Sequence, residues 1–188
     1  MRETWTGTGG SDYKNWFGGA ISMSGLGGND NLWGNFGDDY IYGGSGNDQL
    51  RGWSGNDQLW GGSGSDNLNG ETGNDILIGT DGWSGVFGEV DRLTGGSGAD
   101  TFVLGNNNDW FYRGNAWAII TDFSRSSGDK IQLSGRIQDY WLSSRFEPGA
   151  GSSSIRDGLV MRGNDIVAVL VDRPDTSLGI DYRYILPS

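Results

Sequence analysis

The chain has 188 residues, 36 of them glycine, and a net charge of −11 at pH 7. This charge disfavours nucleic acids and anionic membranes as partners and favours bound cations. Because cysteine and histidine are absent, disulfides, thiolate metal sites and Ser-His-Asp catalysis are excluded. No apolar run approaches the roughly 20 residues of a membrane span, and the N-terminal MRETWTGTGG lacks the apolar core of a cleavable signal peptide.

A nine-residue unit repeats six times between residues 25 and 78. Its first and fourth residues are Gly, its sixth is Asp and its eighth is Leu or Ile. Degenerate units precede it at residues 7–24, where Lys14 takes an apolar place and Ile21 takes an aspartate place. Residues 79–85 are predicted to be an inserted loop, followed by units at 86–94 and 95–103. We therefore predict a repeat domain at residues 1–104 and a second region at 105–188.

Each unit combines six residues of turn with three residues of strand. Two units make an 18-residue coil with one strand on each side, and strands on the same side stack in parallel about 4.8 Å apart. Because side chains alternate along a strand, the eighth residues form an internal apolar column. The members of this column are Met23, Leu32, Ile41, Leu50, Leu59, Leu68 and Leu77.

The aspartates fall on the two edges of this stack. Asp30, Asp48 and Asp66 share one edge, and Asp39, Asp57 and Asp75 share the other. Carboxylates about 5 Å apart repel one another unless a cation lies between them. Carboxylates and glycine carbonyls are hard oxygen ligands, which suit Ca²⁺ better than Mg²⁺. A solvated linker would not keep these positions constant, and the repetition argues against a glycosidase pair of carboxylates.

The unit resembles the GGxGxDxUx nonapeptide of the RTX (repeats-in-toxin) family. The segments GGSGADTFVLG and AIITDFSRSSGDKIQLSG are similar to the segment that closes RTX β-rolls, and most similar to the version in cyanobacterial haemolysin-type calcium-binding proteins. The resemblance implies an all-β protein: a parallel β-roll, which is a right-handed β-helix of nonapeptide repeats. We expect a C-terminal antiparallel β cap with strands near residues 116–123, 130–133, 159–162, 165–171 and 182–186.

In the family, each ion lies between one turn and the turn 18 residues later. The first turn provides its second and fourth carbonyls and its aspartate, and the next turn provides its first and third carbonyls and its aspartate. The resemblance implies four central ions, held by Leu26, Gly28, Asp30, Gly43, Ser45 and Asp48; by Asn35, Gly37, Asp39, Gly52, Ser54 and Asp57; by Gly44, Gly46, Asp48, Gly61, Ser63 and Asp66; and by Trp53, Gly55, Asp57, Gly70, Thr72 and Asp75.

Further candidate sites lie at the two ends of the repeat. One pairs Thr8, Gly10 and Asp12 with Gly25, Gly27 and Asp30, and another pairs Glu71, Gly73 and Asp75 with Gly95, Ser97 and Asp100. A site of Asp66 and Asp91 has Glu89 where a glycine is expected. Asp122 and Asp129 in the closing segment are candidates either for a further ion or for turn capping. The expected total is about four to seven Ca²⁺ ions.

The sequence therefore predicts a calcium-binding module that folds on binding Ca²⁺ and has no enzymatic activity. The resemblance implies an extracellular protein secreted by a type I route. Two alternatives remain open. One is an adhesion module that binds a protein, a glycan or a second copy through the outward-facing Tyr40, Tyr42, Trp60, Ile76 and Ile78, unless the C-terminal region covers them. The other is the C-terminal part of a larger secreted enzyme or toxin.

Overall fold

The structure is a computed structural model that describes residues 2–80, 88–105, 112, 116–133, 139–144, 158–162, 165–171 and 185–187. These residues form β-strands and no α-helix. The strands of the repeat region are β1 Glu3–Thr6, β2 Tyr13–Asn15, β3 Ile21–Gly27, β4 Asn31–Phe36, β5 Tyr40–Ser45, β6 Gln49–Ser54, β7 Gln58–Ser63, β8 Asn67–Thr72, β9 Ile76–Thr80, β10 Val90–Ser97 and β11 Thr101–Val103. The strands that follow are β12 Trp117–Ile120, β13 Lys130–Leu133, β14 Tyr140–Ser144, β15 Gly158–Arg162, β16 Asp165–Leu170 and β17 Ile185–Pro187.

The repeat strands alternate between two parallel sheets. One sheet has the order β1-β3-β5-β7-β9-β11-β13-β17, and the other has the order β14-β15-β16-β12-β10-β8-β6-β4-β2. Within the full repeats, residues 18 apart are partners, as in the series Tyr40, Gln58 and Ile76. This register confirms the predicted parallel β-roll.

The interruption of the repeat leaves the register of the sheets intact. Asn67 of β8 pairs with Arg92 of β10, a separation of 25 residues, which is one coil plus the seven inserted residues. Gly79 and Thr80 of the predicted loop belong to β9, and the rest of that loop lies outside the described residues. The insertion therefore leaves Asp91 in line with the column of Asp66.

The predicted apolar column is the core of the roll. Its seven members, Met23 to Leu77, are each at most 2% exposed, and Leu93 and Phe102 continue it at 0%. Burying each such side chain stabilises the fold by about 1.5–3 kcal/mol. At the N-terminal end Lys14 replaces an apolar residue, and its Nζ lies 5.9 Å from the Trp5 ring and 5.7 Å from the Trp16 ring.

The C-terminal strands continue both sheets instead of forming a separate layer. β12, β13 and β17 pair in parallel with the roll, while β14, β15 and β16 form an antiparallel meander attached through β16 to β12. This meander is the expected antiparallel element, although β14 lies where the sequence predicts no strand. No helix among the described residues is long and apolar enough to cross a membrane.

Candidate metal centre

The aspartates at the sixth place of each unit form two columns held by the backbone. In each column, the Oδ1 atom of one aspartate accepts the backbone N–H of the sixth residue one coil earlier. In the first column, the N–H groups of Asp12, Asp30, Asp48 and Asp66 donate to the aspartate one coil later at 2.7–2.9 Å. In the second, Ile21, Asp39, Asp57, Asp75 and Asp100 donate at 2.7–3.0 Å. One carboxylate oxygen therefore fixes the turn and leaves the other for a different partner.

The second oxygen, Oδ2, is buried without a hydrogen-bond donor in seven of these aspartates. They are Asp30, Asp39, Asp48, Asp57, Asp66, Asp75 and Asp100. Each of these residues is at most 2% exposed. Leaving a buried charged acceptor unpaired is expensive, so each such group calls for a compensating partner.

The glycine at the first place of each turn makes room for this oxygen. A Cβ atom added to Gly43 would collide with Oδ2 of Asp48 and with the carbonyl oxygen of Gly61 in the next coil. The same collisions occur at Gly25 and Gly61, where the partners are Asp30 and Asp66. Oδ2 and the first carbonyl of the next turn therefore lie close together, and a side chain is excluded between them.

The carbonyls of the second and fourth residues point toward the next turn. A Cβ atom added to Gly62 or Gly64 would collide with the carbonyl oxygen of Gly44 or Gly46. The second-place residues adopt positive φ even where they are not glycine, with values of 74° at Leu26, 105° at Asn35, 76° at Trp53 and 76° at Glu71. For such residues this conformation costs roughly 1–2 kcal/mol. The turn thus keeps its carbonyl orientation despite the strain.

The third-place carbonyls already accept one hydrogen bond each. Gly28, Gly37, Gly46, Gly55 and Gly73 donate their N–H groups to the carbonyls of Ser45, Ser54, Ser63, Thr72 and Ser97 at 2.8–3.0 Å. A carbonyl oxygen has two lone pairs, so each keeps one for a further partner.

Burial and neighbouring carboxylates disfavour the ionised form of the columns. Burial raises the pKa of Asp48 to about 6, of Asp57 and Asp75 to about 7, and of Asp66 to about 8. Repulsion from adjacent carboxylates adds to this effect, as from Asp39 on the pKa of Asp57.

Within the described part of the chain, no three acidic side chains are grouped as a metal site. The chemistry offered to a cation is thus two carboxylates with several carbonyls, an all-oxygen set.

The family model of the RTX calcium-binding nonapeptide repeat (4 copies) matches residues 24–59, 60–83 and 87–115. The repeat region of this chain is an RTX calcium-binding repeat region. No curated protein matches its sequence. RTX repeats bind Ca²⁺, and an all-oxygen ligand set suits this ion.

The four central predicted sites share the same geometry in the RTX roll. In each of them Oδ2 of the first aspartate lacks a donor, and the second aspartate accepts the N–H of the first through Oδ1. The predicted site of Asp75 and Asp100 repeats this arrangement across the insertion. A Cβ atom added to Gly96 or Gly98 there would collide with the carbonyl oxygen of Glu71 or Gly73.

The N-terminal predicted site has a different local structure. The N–H of Thr8 donates to Oδ2 of Asp12 at 2.6 Å, and the Thr8 hydroxyl lies 3.0 Å from the same atom. Thr8 does not share the positive φ of the other second-place residues. The carboxylate of Asp12 therefore has donors in its own turn.

At the C-terminal ends of both aspartate columns, residues outside the regular units make the hydrogen bonds. Glu89 Oε1 accepts the N–H of Gly64 at 3.0 Å, in place of a third-place carbonyl, and the Tyr112 hydroxyl donates to Oδ2 of Asp91 at 2.7 Å. Asp129 Oδ2 accepts the N–H of Ser124 at 2.8 Å. The carboxylate of Asp122 accepts the N–H groups of Gly95 and Gly96 at 3.0 and 2.7 Å.

A second hydrogen-bonded ladder runs beside each aspartate column and was not predicted. The fifth residue of one turn accepts, through its side chain, the N–H of the fifth residue in the next coil. Asn29 accepts from Asn47, Asn47 from Ser65, and Asp38 from Asn56, each at 2.8 Å. The signal was present in the repeat, since all six full units have Asn, Ser or Asp at the fifth place.

The aromatic residues of the predicted interaction surface, Tyr40, Tyr42 and Trp60, lie on the sheet that contains β3, β5 and β7. The rings of Tyr40 and Trp60 are 5.0 Å apart at an angle of 57°. An open groove of about 410 Å³ is lined by Ser22, Met23, Ser24, Tyr40, Tyr42 and Trp60. Toward the C-terminal end, Ile76 is half-buried and Ile78 is only 7% exposed. The groove is thus limited to the strands at the N-terminal end of this sheet.

Proposed function

We propose that this RTX protein is a module that folds when Ca²⁺ ions fill the stacked turns. The seven buried Oδ2 atoms without donors carry the proposal. Each belongs to an aspartate that faces another aspartate one coil later, so seven gaps between turns have the same unmet requirement. The predicted ligand sets of the four central sites, and that of Asp75 with Asp100, would each supply two carboxylates and four carbonyls to an ion.

The same criterion, a buried Oδ2 atom without a donor, extends the proposal to two further pairs of aspartates. Asp66 faces Asp91, and Asp100 faces Asp129. In both pairs the Oδ2 atom of the first aspartate has no donor. The level of Asp12 differs because Thr8 already donates to that carboxylate. We therefore assign about seven ions, the upper end of the expected range.

Folding and ion binding are coupled in this proposal. Without a divalent cation, the buried carboxylates repel one another and the glycine-rich turns lose much conformational entropy on ordering. At the affinities of about 10⁻⁴–10⁻³ M that are usual for extracellular calcium modules, the ions would bind outside the cell. RTX repeat proteins are typically secreted, which supports an extracellular location for this chain. Like the family, the chain would have a structural role and no catalysis of its own.

Circular dichroism in EGTA followed by Ca²⁺ addition tests the coupling. We expect a largely unstructured spectrum in EGTA and a cooperative β transition at about 10⁻⁴–10⁻³ M free Ca²⁺. Mg²⁺ at the same concentrations is the matched control and should not produce the transition. A β spectrum that chelation leaves unchanged would contradict the proposal.

The groove beside Tyr40 and Trp60 favours ligand binding as a second function. Its lining combines two aromatic rings with the hydroxyl groups of Ser22 and Ser24, a surface that fits an uncharged glycan or a peptide. Trp60→Ala should abolish attachment to such a ligand and leave the Ca²⁺-induced transition in place. Trp33→Ala, which changes a Trp of β4 on the other sheet, is the control. Equal attachment by both variants would rule the groove out.

A further inference from the structure

The aspartates of the columns differ in what their Oδ2 atoms contact. Those inside a column have no donor, whereas those at the ends do: Asp12 from Thr8, Asp91 from Tyr112 and Asp129 from Ser124. Two of these donors are backbone N–H groups within the same turn. Tyr112 is different, because it is a side chain 21 residues away in the chain and beyond the regular units.

The hydroxyl of Tyr112 lies where the repeat would place the next turn. Gly79 is the first-place glycine of the turn that contains Asp91, and a Cβ atom added to it would collide with Oδ2 of Asp91 and with the Tyr112 hydroxyl. At Gly43 and Gly61 the atom beside Oδ2 is the first-place carbonyl of the following coil. After Asp91, Ala118 of β12 is the register partner, so the column has no further aspartate.

Both residues of the hydrogen bond between Tyr112 and Asp91 are buried. Tyr112 and Asp91 are both 0% exposed, so water does not reach the carboxylate at this point. A hydrogen bond from a phenol to a buried carboxylate contributes more than one between neutral groups. It also fixes the orientation of Asp91, whose other oxygen accepts the N–H of Asp66 at 2.9 Å.

We propose that Tyr112 ends the first aspartate column without a metal ion and positions Asp91 for the last ion of that column. The inference rests on the proposed calcium-dependent folding. At Oδ2 of Asp91, the phenol proton takes the role that Ca²⁺ has at Oδ2 of the earlier aspartates in this column. The orientation set by Tyr112 also directs Oδ1 of Asp91 toward the ion site that Asp91 shares with Asp66. Tyr112 is thus a positioning residue and not itself a ligand.

The test is Tyr112→Phe, which keeps the ring and removes only the hydroxyl group. Bound ions are counted by equilibrium dialysis with ⁴⁵Ca²⁺ at a series of free concentrations, together with native mass spectrometry. We expect one ion of the set to require roughly tenfold more Ca²⁺ because an anchored ligand has lost its hydrogen bond. The remaining ions should bind as in the unaltered protein.

Two control variants separate positioning from general destabilisation. Tyr40→Phe removes a hydroxyl outside the columns, and Val167→Ala weakens the C-terminal sheet at a residue that is 0% exposed. Neither variant should lower the affinity of one ion selectively: Tyr40→Phe should leave the binding curve unchanged, and any effect of Val167→Ala should fall on all the ions together. Identical binding curves for Tyr112→Phe and Tyr40→Phe would overturn the inference while leaving calcium binding intact. An unaltered protein that binds no Ca²⁺ would instead overturn the proposed function and, with it, this inference.

A second measurement covers the case in which Tyr112→Phe does not fold. In the Ca²⁺-loaded protein with isotope-labelled tyrosine, the hydroxyl proton of Tyr112 should exchange slowly and resonate downfield, as expected for a buried donor to a carboxylate. Assignment comes from Tyr-to-Phe changes at the other tyrosines. A Tyr112 hydroxyl in rapid exchange with water would overturn the inference.

Discussion

At the scale of single residues, Asp57 shows how one side chain serves two neighbouring turns. Its Oδ1 accepts the N–H of Asp39, its own N–H donates to Asp75, and its Oδ2 is buried without a donor. Asp38 lies in the preceding turn of the same column, but its carboxylate belongs to the fifth-place ladder and accepts the N–H of Asn56. Aspartates in successive coils thus have different roles, set only by their place in the unit.

This difference gives a matched pair of variants. Asp57→Asn keeps an acceptor for Asp39 but removes the charge shared by two proposed sites, so it should lower the number of bound ions by about two. Asp38→Asn also keeps an acceptor and should leave the number of ions unchanged. Equilibrium dialysis at about 1 mM free Ca²⁺ checks both variants. Equal ion counts in the two variants would disprove the assignment of Asp57.

Much of the site at this scale was predictable, because the aspartate and glycine positions are constant within the unit. The division of labour between the two carboxylate oxygens was not, since it depends on N–H groups one coil away. The contact of Tyr112 with Asp91 was also beyond prediction, because no repeat relates residue 112 to residue 91.

At the scale of elements, the unit of structure is the 18-residue coil and not the nine-residue repeat. Successive units alternate between sheets, so residues pair with those 18 positions away. The seven-residue insertion before β10 is tolerated because β10 still pairs with β8, with a separation of 25 residues instead of 18. An insertion or deletion of a whole coil should therefore be accepted, whereas half a coil should not.

Two deletions test this rule. Removing residues 43–60 joins Tyr42 to Gly61, keeps every later strand in its sheet and should give a folded protein with about two fewer ions. Removing residues 52–60 moves every later strand to the opposite sheet, so at the junction Asn67 of β8 would stack on Tyr40 of β5, and Ile76 of β9 on Gln49 of β6. We expect the second variant to show no cooperative Ca²⁺ transition by circular dichroism. A transition of equal amplitude in both variants would contradict the rule.

At the scale of the whole molecule, the columns couple folding to both calcium and protons. Burial raises the pKa of Asp39, Asp91 and Asp100 to about 6, that of Asp57 to about 7 and that of Asp66 to about 8, from a usual value of 3.8. The ion-free fold therefore binds more protons than the unfolded chain between pH of about 4 and about 8. Protonation stabilises that fold fully below the usual pKa, and this contribution is lost as the pH rises through the raised values.

Opposite pH dependences follow for the two states. In EGTA, the small β content seen by circular dichroism should increase as the pH falls from about 8 to about 4.5. In Ca²⁺ titrations, the midpoint should move to higher free Ca²⁺ over the same range, because protons compete for the carboxylates. Calorimetry in two buffers of different ionisation enthalpy should detect the protons that Ca²⁺ releases. A calcium midpoint independent of pH would show that the aspartates are not the ligands.

The nine-residue period in the sequence predicts the coil, the two aspartate edges, the apolar column and the preference for a hard oxygen-binding cation. Each of these follows from a local period, and a period needs no knowledge of distant contacts. Only the folded chain shows which aspartates have an Oδ2 atom without a donor, how Thr8 and Tyr112 donate to the end aspartates of the first column, and how β12 and β16 extend the second sheet. These features depend on residues that are far apart in the chain and come together only when the coils stack, and no repeat records such contacts.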